Sequence, residues 1–147
     1  MRRVLAGTLH DHHFVVQEAD GAVVGAAYYA HEPLSDRMWN LYFIAVSPSR
    51  QGQGIGAALL DHVERELRQA GPDTAQVLIV ETSSTDQYAL TRAFYPKQGY
   101  VEEGRICALR QLGHRNRITT MILQAFRIPP FERASFRVRS GQSSCHR

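Results

Sequence analysis

The sequence predicts a mixed fold of the α/β (α+β) class: a mainly antiparallel sheet with one central parallel βαβ crossover. Three observations carry this expectation. Residues 14–30 read as a β-hairpin folded at Asp20-Gly21. Residues 41–82 read as strand, glycine loop, amphipathic helix and strand. A second helical segment is then followed by two further strand-like stretches, 100–106 and 118–126. A hairpin pairs its strands antiparallel, whereas a strand–helix–strand unit returns right-handed to a parallel neighbour.

Each element has a local reason. Phe14-Val15-Val16-Gln17-Glu18 and residues 22–30 are rich in β-branched, aromatic and small apolar residues, with the Asp-Gly turn signal between them. Residues 31–37 are polar and broken by Pro33, hence a loop. Met38-Trp39-Asn40 leads into Leu41-Tyr42-Phe43-Ile44-Ala45-Val46, which Pro48 ends. Ile55, Leu59, Val63 and Leu67 recur at helical spacing, and Asp61/Arg65 and Glu64/Arg68 lie on the outer side in the favourable i, i+4 order. Gly71-Pro72 stops that helix. The continuous apolar run within residues 75–82 marks a strand covered on both faces. Residues 83–86 offer N-caps for a second helix over 87–98, closed by Gly99, and Pro96 predicts a kink or an early end near Tyr95. A polar loop is expected around residues 113–116.

The bulk composition excludes several classes. With 147 residues, 44% hydrophobic and 21% charged, the chain suits one globular domain, placed at 1–126 with a basic, poorly ordered tail at 127–147. No apolar run reaches the roughly 18 residues of a membrane span, and the N-terminus is too short in apolar residues for a secretion signal, so no membrane partner and a cytoplasmic location are expected. Only Cys107 and Cys145 are present, which argues against a disulfide framework. The net charge of +3 does not imply nucleic acid, because Arg127, Arg133, Arg137, Arg139 and Arg147 concentrate it in the tail. His10-Asp11-His12-His13 lacks ligand partners at a recognisable spacing, so no metal is expected.

The informative stretch is Gln51-Gly52-Gln53-Gly54-Ile55-Gly56 between strand and helix. Amides at a helix N-terminus lack intrahelical acceptors and sit at the positive end of the helix dipole, and glycine lets an anion approach them. Gly52-x-Gly54-x-x-Ala57 also satisfies a dinucleotide fingerprint, but residues 47–51 intervene where that motif follows its strand almost at once. A P-loop fails because no Lys-Ser/Thr pair follows the last glycine.

Val46-x-Pro48-x-x-Gln51-Gly52-x-Gly54-Ile55-Gly56, with Ala93-Phe94-Tyr95-x-x-x-Gly99-Tyr100, resembles the GCN5-related N-acetyltransferase (GNAT) superfamily. The resemblance extends over residues 14–126, and its Gln/Arg-x-x-Gly-x-Gly/Ala signature falls on Gln51, Gly54 and Gly56. It implies a GNAT-like sheet and acetyl-CoA as co-substrate, with the pyrophosphate on the amides of Gln51, Gly52, Gln53, Gly54, Ile55 and Gly56. The pantetheine arm would run along the strand at Ile44, Ala45 and Val46, where the two parallel strands splay.

The implied activity is acetyl transfer to a primary amine of a small molecule or protein. Tyr95 matches the family tyrosine that protonates the leaving thiolate, and an unperturbed phenol, with a pKa of about 10, remains protonated at neutral pH. A core-packed helix tyrosine is the alternative. Relatives often carry an acid where this chain has Asn40, and an amide cannot accept the proton. Glu81, at the end of the second parallel strand, is the replacement base, its pKa expected to rise by burial; His31 and Glu32 are weaker candidates. A backbone N–H near Ala45 or Val46 is the expected oxyanion donor. Arg50 and Arg92 either pair with CoA phosphates or remain solvated.

Two departures from the resemblance stand out. Relatives usually begin with a strand and two helices that wall the acceptor pocket, whereas few residues precede Phe14, so the fold is expected to be N-terminally abbreviated. Residues 107–112 lack the acidic and aromatic loop of the nearest branch. Either a second copy completes the acceptor site as a homodimer, or the chain is a non-catalytic CoA-binding or regulatory remnant.

Overall fold

The computed structural model describes residues 12–110 and 118–128. The expected N-terminal His10-Asp11, the loop at 113–116 and the tail from 129 lie outside the described residues. Strands β1 (His12–Ala19) and β2 (Ala22–His31) form the hairpin. Asp20 and Gly21 both take positive φ, 54° and 76°, the two-residue turn geometry whose twist matches that of the flanking strands.

Strand β3 (Met38–Val46) pairs antiparallel with β2, and helix α1 (Ile55–Ala70) returns the chain to β4 (Val77–Ser83), parallel to β3. Helix α2 (Ala89–Lys97) leads to β5 (Val101–Arg110) and β6 (Ile118–Arg127). Strand β6 inserts between β4 and β5, so the sheet runs β1-β2-β3-β4-β6-β5 with β3/β4 as its parallel pair. This is the mixed, mainly antiparallel sheet with one central crossover that the sequence predicts.

The core lies on one face of the sheet. Val15, Tyr29, Leu41, Leu78 and Val80 pack in one cluster with Ile55, Leu59, Leu60, Val63 and Leu67 of α1 and Tyr95 of α2. Side chains alternate along a strand, so Phe14, Tyr28, Asn40, Ile79 and Glu81 point to the opposite face. Both helices therefore cover the same side.

Three expectations need correction. Pro96 does not end α2 near Tyr95: the helix runs on to Lys97, and because Pro96 is the penultimate residue its missing N–H affects only the last turn. That end is closed by Gly99, with φ of 88°, as its N–H reaches the Pro96 carbonyl and that of Tyr100 the Tyr95 carbonyl, each at 3.1 Å. Strand β5 runs on to Arg110, so residues 107–110 are strand and not loop. The boundary after Phe126 falls inside the domain: Ile128 is 1% exposed and its N–H bonds the Gln76 carbonyl at 2.9 Å.

Candidate active site

The parallel pairing of β3 and β4 is short. It covers Met38, Trp39 and Asn40 against Val77, Leu78 and Ile79, after which the strands part. Each remains held on its outer side, β3 by β2 as far as Val46 against Gly25, and β4 by β6 as far as Ser83 against Met121. The result is a fork in the sheet with two open inner edges. A bulge lies at its mouth: Tyr28 pairs with Phe43 and Tyr29 with Leu41, so Tyr42 is an extra residue that bends β3.

The open edge of β3 can be assigned by alternation. The Ser47 N–H donates to the Val24 carbonyl at 2.9 Å, toward β2. Strand geometry then turns the N–H and C=O of Ile44 and Val46 into the fork and those of Ala45 toward β2. Of the two residues expected to donate to an oxyanion, only Val46 has its amide on the fork side. Its carbonyl accepts a bond from Gln51 Nε2 at 3.4 Å.

Past β3, a short 3-10 turn at Pro48–Arg50 leads into the exposed residues Gln51, Gly52, Gln53 and Gly54. Gly52 and Gly54 have φ of 75° and 78°, where a Cβ would clash with its own backbone. The first amide to close a helical bond is that of Ala58, onto the Gly54 carbonyl at 2.9 Å. The amides of Ile55, Gly56 and Ala57 are therefore left without helical acceptors at the positive end of α1. Gly56 faces α2, where a Cβ would stand 3.7 Å from the Phe94 ring and 3.8 Å from Val46 Cγ2.

The arginines hold the frame instead of standing free. Arg50 Nη2 donates to Asp20 Oδ2 at 2.8 Å, tying the loop to the β1–β2 turn. Arg92 Nη1 donates to the Ser83 and Thr85 carbonyls at 2.6 and 2.7 Å, fixing α2 to the end of β4.

Tyr95 lies on the helix side of the fork, 3% exposed, between Phe94 at 5.1 Å and Tyr100 at 5.4 Å. Burial pushes its phenol up to about 12, so it carries its proton throughout the neutral range. Glu81 lies on the other side. It is exposed, contrary to the burial expected of it, because the residues that would flank it from β3 have swung away at the fork. Tyr95 and Glu81 therefore lie on opposite faces of the sheet, Tyr95 packed within the core cluster and Glu81 exposed. His31 is half-buried and bonds the Asp36 carbonyl at 3.0 Å through Nε2; Glu32 is half-buried in the β2–β3 loop.

Sequence reasoning weighed Asn40 only as the replacement of an acid and missed the stacked rings on the bare face. Asn40, 5% exposed, stands at the vertex, and its Oδ1 has no hydrogen-bond partner among the described residues. Phe14, Tyr28 and Tyr42 stack across three strands, at 4.5 Å and then 5.2 Å between centroids. Phe14 and Tyr28 share a face by their register, but Tyr42 joins them through the bulge, which no periodicity reveals.

Comparison with known proteins follows this geometry. The family model described as an acetyltransferase (GNAT) domain matches residues 10–102. The chain belongs to the GNAT family. A GNAT-family structure from Desulfovibrio desulfuricans, described as an acetyltransferase, is 33% identical, with a TM-score of 0.71 over 80% of this chain and 69% of that one. The ribosomal-protein-S18-alanine N-acetyltransferase of Escherichia coli shares the fold at 23% identity, with a TM-score of 0.67 over 86% and 76% of the two chains. An aminoglycoside 6′-N-acetyltransferase complexed with coenzyme A does so at 20% identity, with a TM-score of 0.68 over 85% and 77%. No curated protein is a significant match to the sequence. The GNAT family and these neighbours support acetyl transfer as the general chemistry. Among the described residues no helix is long and apolar enough to cross a membrane.

Proposed function

We propose that this GNAT protein is an acetyl-CoA-dependent N-acetyltransferase acting on a primary amine of a small molecule or protein, in the cytoplasm. The fork carries this reading: an open β3 edge leads directly to a glycine loop whose helix amides are unpartnered. Gln51, Gly52, Gln53, Gly54, Ile55 and Gly56 suit a pyrophosphate, and the inner edge at Ile44 and Val46 suits the amide-bearing pantetheine arm as an added strand. Ala45 contributes an exposed methyl group to the bare face beside that edge.

Bound acetyl-CoA supplies a thioester carbonyl for attack. The chain's own residues divide the remaining work. Glu81 takes the ammonium proton, directly or through water, which frees the nitrogen lone pair to form the C–N bond. The Val46 N–H offers a hydrogen bond to the carbonyl oxygen as charge develops there. Tyr95 gives its proton to the sulfur as the C–S bond breaks, leaving a free thiol, and the tyrosinate is reprotonated by the second proton that the new amide nitrogen loses, directly or through water. Base and acid on opposite faces fit a reaction in which the nucleophile arrives from one side and the thiolate departs on the other.

The test is calorimetric titration with acetyl-CoA, followed by thiol release with an amine panel for wild type, Tyr95→Phe and Glu81→Gln. Binding with amine-dependent thiol release, reduced in both variants, is expected. Binding without turnover by wild type would instead identify a non-catalytic CoA-binding protein, and a preference for NAD would overturn the donor assignment.

A further inference from the structure

The second edge of the fork can be assigned as the first was. The Ile128 N–H donates to the Gln76 carbonyl at 2.9 Å, one step outside the Val77–Arg127 pair, so the main-chain groups of Val77 turn away from β6. The Val77 N–H accordingly reaches the Arg37 carbonyl, on the β3 side, at 3.4 Å. No irregularity interrupts β4 against β6 as far as Ser83, so alternation turns the N–H and C=O of Ile79, Glu81 and Ser83 toward β3 as well. Strand β3 answers only as far as Ile79, because the parallel pairing ends at Asn40.

The Glu81 N–H, the Glu81 C=O and the Ser83 N–H therefore open into the fork, without a hydrogen-bond partner among the described residues. The Ser83 carbonyl is closed by Arg92 Nη1 at 2.6 Å. An unpaired strand edge is a template for another extended chain. The glycine loop continues from β3, which assigns the β3 edge to pantetheine and leaves the β4 edge to the acceptor. A chain antiparallel to β4 would run into the vertex, where β3 already pairs with Ile79. A parallel one starts inside the fork and leaves through its mouth.

We propose that the acceptor is the N-terminal residue of a peptide lying parallel to β4, its α-amine donating to the Glu81 carbonyl and its first carbonyl accepting from the Ser83 N–H. This deepens the N-acetyltransferase reading and rests on it. The C–N bond forms at the α-nitrogen as the C–S bond breaks, and the carboxylate that takes the first proton belongs to the same Glu81 that holds the amine. Because β4 ends at Ser83, the edge reads the amine and the carbonyl next to it and no residue further along the peptide. A simple alkylamine offers only the first of these contacts.

The test measures kcat/KM by thiol release for alanylalaninamide and isopropylamine, in wild type, Ser83→Pro and Ser83→Ala. Proline removes the N–H, whereas alanine keeps it and removes only the hydroxyl, which accepts from the Thr85 N–H at 3.2 Å. Ser83→Pro should lower the peptide value by about tenfold, the size of one lost hydrogen bond, mainly through KM. Its isopropylamine value and acetyl-CoA dissociation constant should stay as in wild type, and Ser83→Ala should match wild type with both amines. Counted per unprotonated amine, wild type should favour the peptide by a similar factor, a readout that does not depend on either variant folding. Equal wild-type values overturn the proposal with the acetyltransferase intact. So does a peptide value untouched by Ser83→Pro, or an equal loss with both amines in a Ser83→Pro protein of wild-type acetyl-CoA affinity. Absence of acetyl-CoA binding, or of turnover with every amine, overturns the functional reading itself.

Discussion

Gly25 on β2 lies directly beneath Ile55, the first residue of α1: a Cβ at Gly25 would stand 2.8 Å from Ile55 Cγ2 and 3.0 Å from Leu59 Cδ1. The carbonyl oxygen of Ala45 closes the third side at 3.3 Å. This close approach seats the start of α1, and with it the loop amides, against the strands of the fork.

Gly25→Ala should therefore destabilise the protein by about 1–3 kcal/mol, the usual range for overpacking. In a domain of this size that lowers the melting temperature by ~2–4 °C per kcal/mol. Because the displaced groups belong to α1, acetyl-CoA affinity measured by calorimetry should fall as well. An unchanged melting temperature would show that Ile55 rotates away freely.

Gly54 has the opposite problem. A Cβ there meets nothing within 4 Å, yet its φ of 78° disfavours any L side chain by about 1–2 kcal/mol. Gly54→Val should fold but bind acetyl-CoA at least tenfold more weakly, since about 1.4 kcal/mol corresponds to tenfold in affinity. Wild-type affinity in this variant would count against the loop as the pyrophosphate site.

Tyr95→Phe isolates the phenol proton. No described residue hydrogen-bonds the hydroxyl, so stability should change little, while kcat should fall by about 10²-fold, the low end for a lost general acid. With the phenol pushed up to about 12, the wild-type rate should show no Tyr95 limb between pH 6 and 10. Steady-state thiol release across that range checks both statements.

Glu64, 8% exposed on α1, accepts from Tyr100 at 3.3 Å and from Arg68 at 2.7 Å. Desolvation outweighs both partners and raises its pKa above the unfolded value of 4.5. The folded state then binds the proton more tightly, so this group favours folding below the unfolded value and loses that contribution as pH rises through the folded one. The melting temperature of Glu64→Gln minus that of wild type should increase as pH rises above 4.5. A difference that shrinks would show that the Arg68 pair dominates.

Much of the scaffold was legible in the chain. The Asp20-Gly21 turn, the period of Ile55, Leu59, Val63 and Leu67, and the stops at Gly71 and Gly99 are local signals, and each element they bound is present. The loop was equally legible, because positive φ at Gly52 and Gly54 is a requirement that glycine meets by itself. The candidate site was legible only in part. Glu81 was expected to be buried because its strand is apolar, and its exposure depends on where β3 departs from β4. Arg50 and Arg92, for which the sequence left phosphate pairing and solvation open, instead bond Asp20 and the Ser83 and Thr85 carbonyls, partners that only the folded chain brings to them.

The sequence by itself determined the order of elements, the glycine loop before α1 and, through its motifs, the family. These depend on residues close together along the chain, where backbone preference and side-chain period act directly. Tertiary structure alone decided that Tyr95 packs in the core while Glu81 is exposed on the opposite face, and that Phe14, Tyr28 and Tyr42 stack on the face where Asn40 Oδ1 has no hydrogen-bond partner among the described residues. Those relations arise from strand register, a single bulge and the point at which a parallel pair separates, each set by packing between segments distant in sequence.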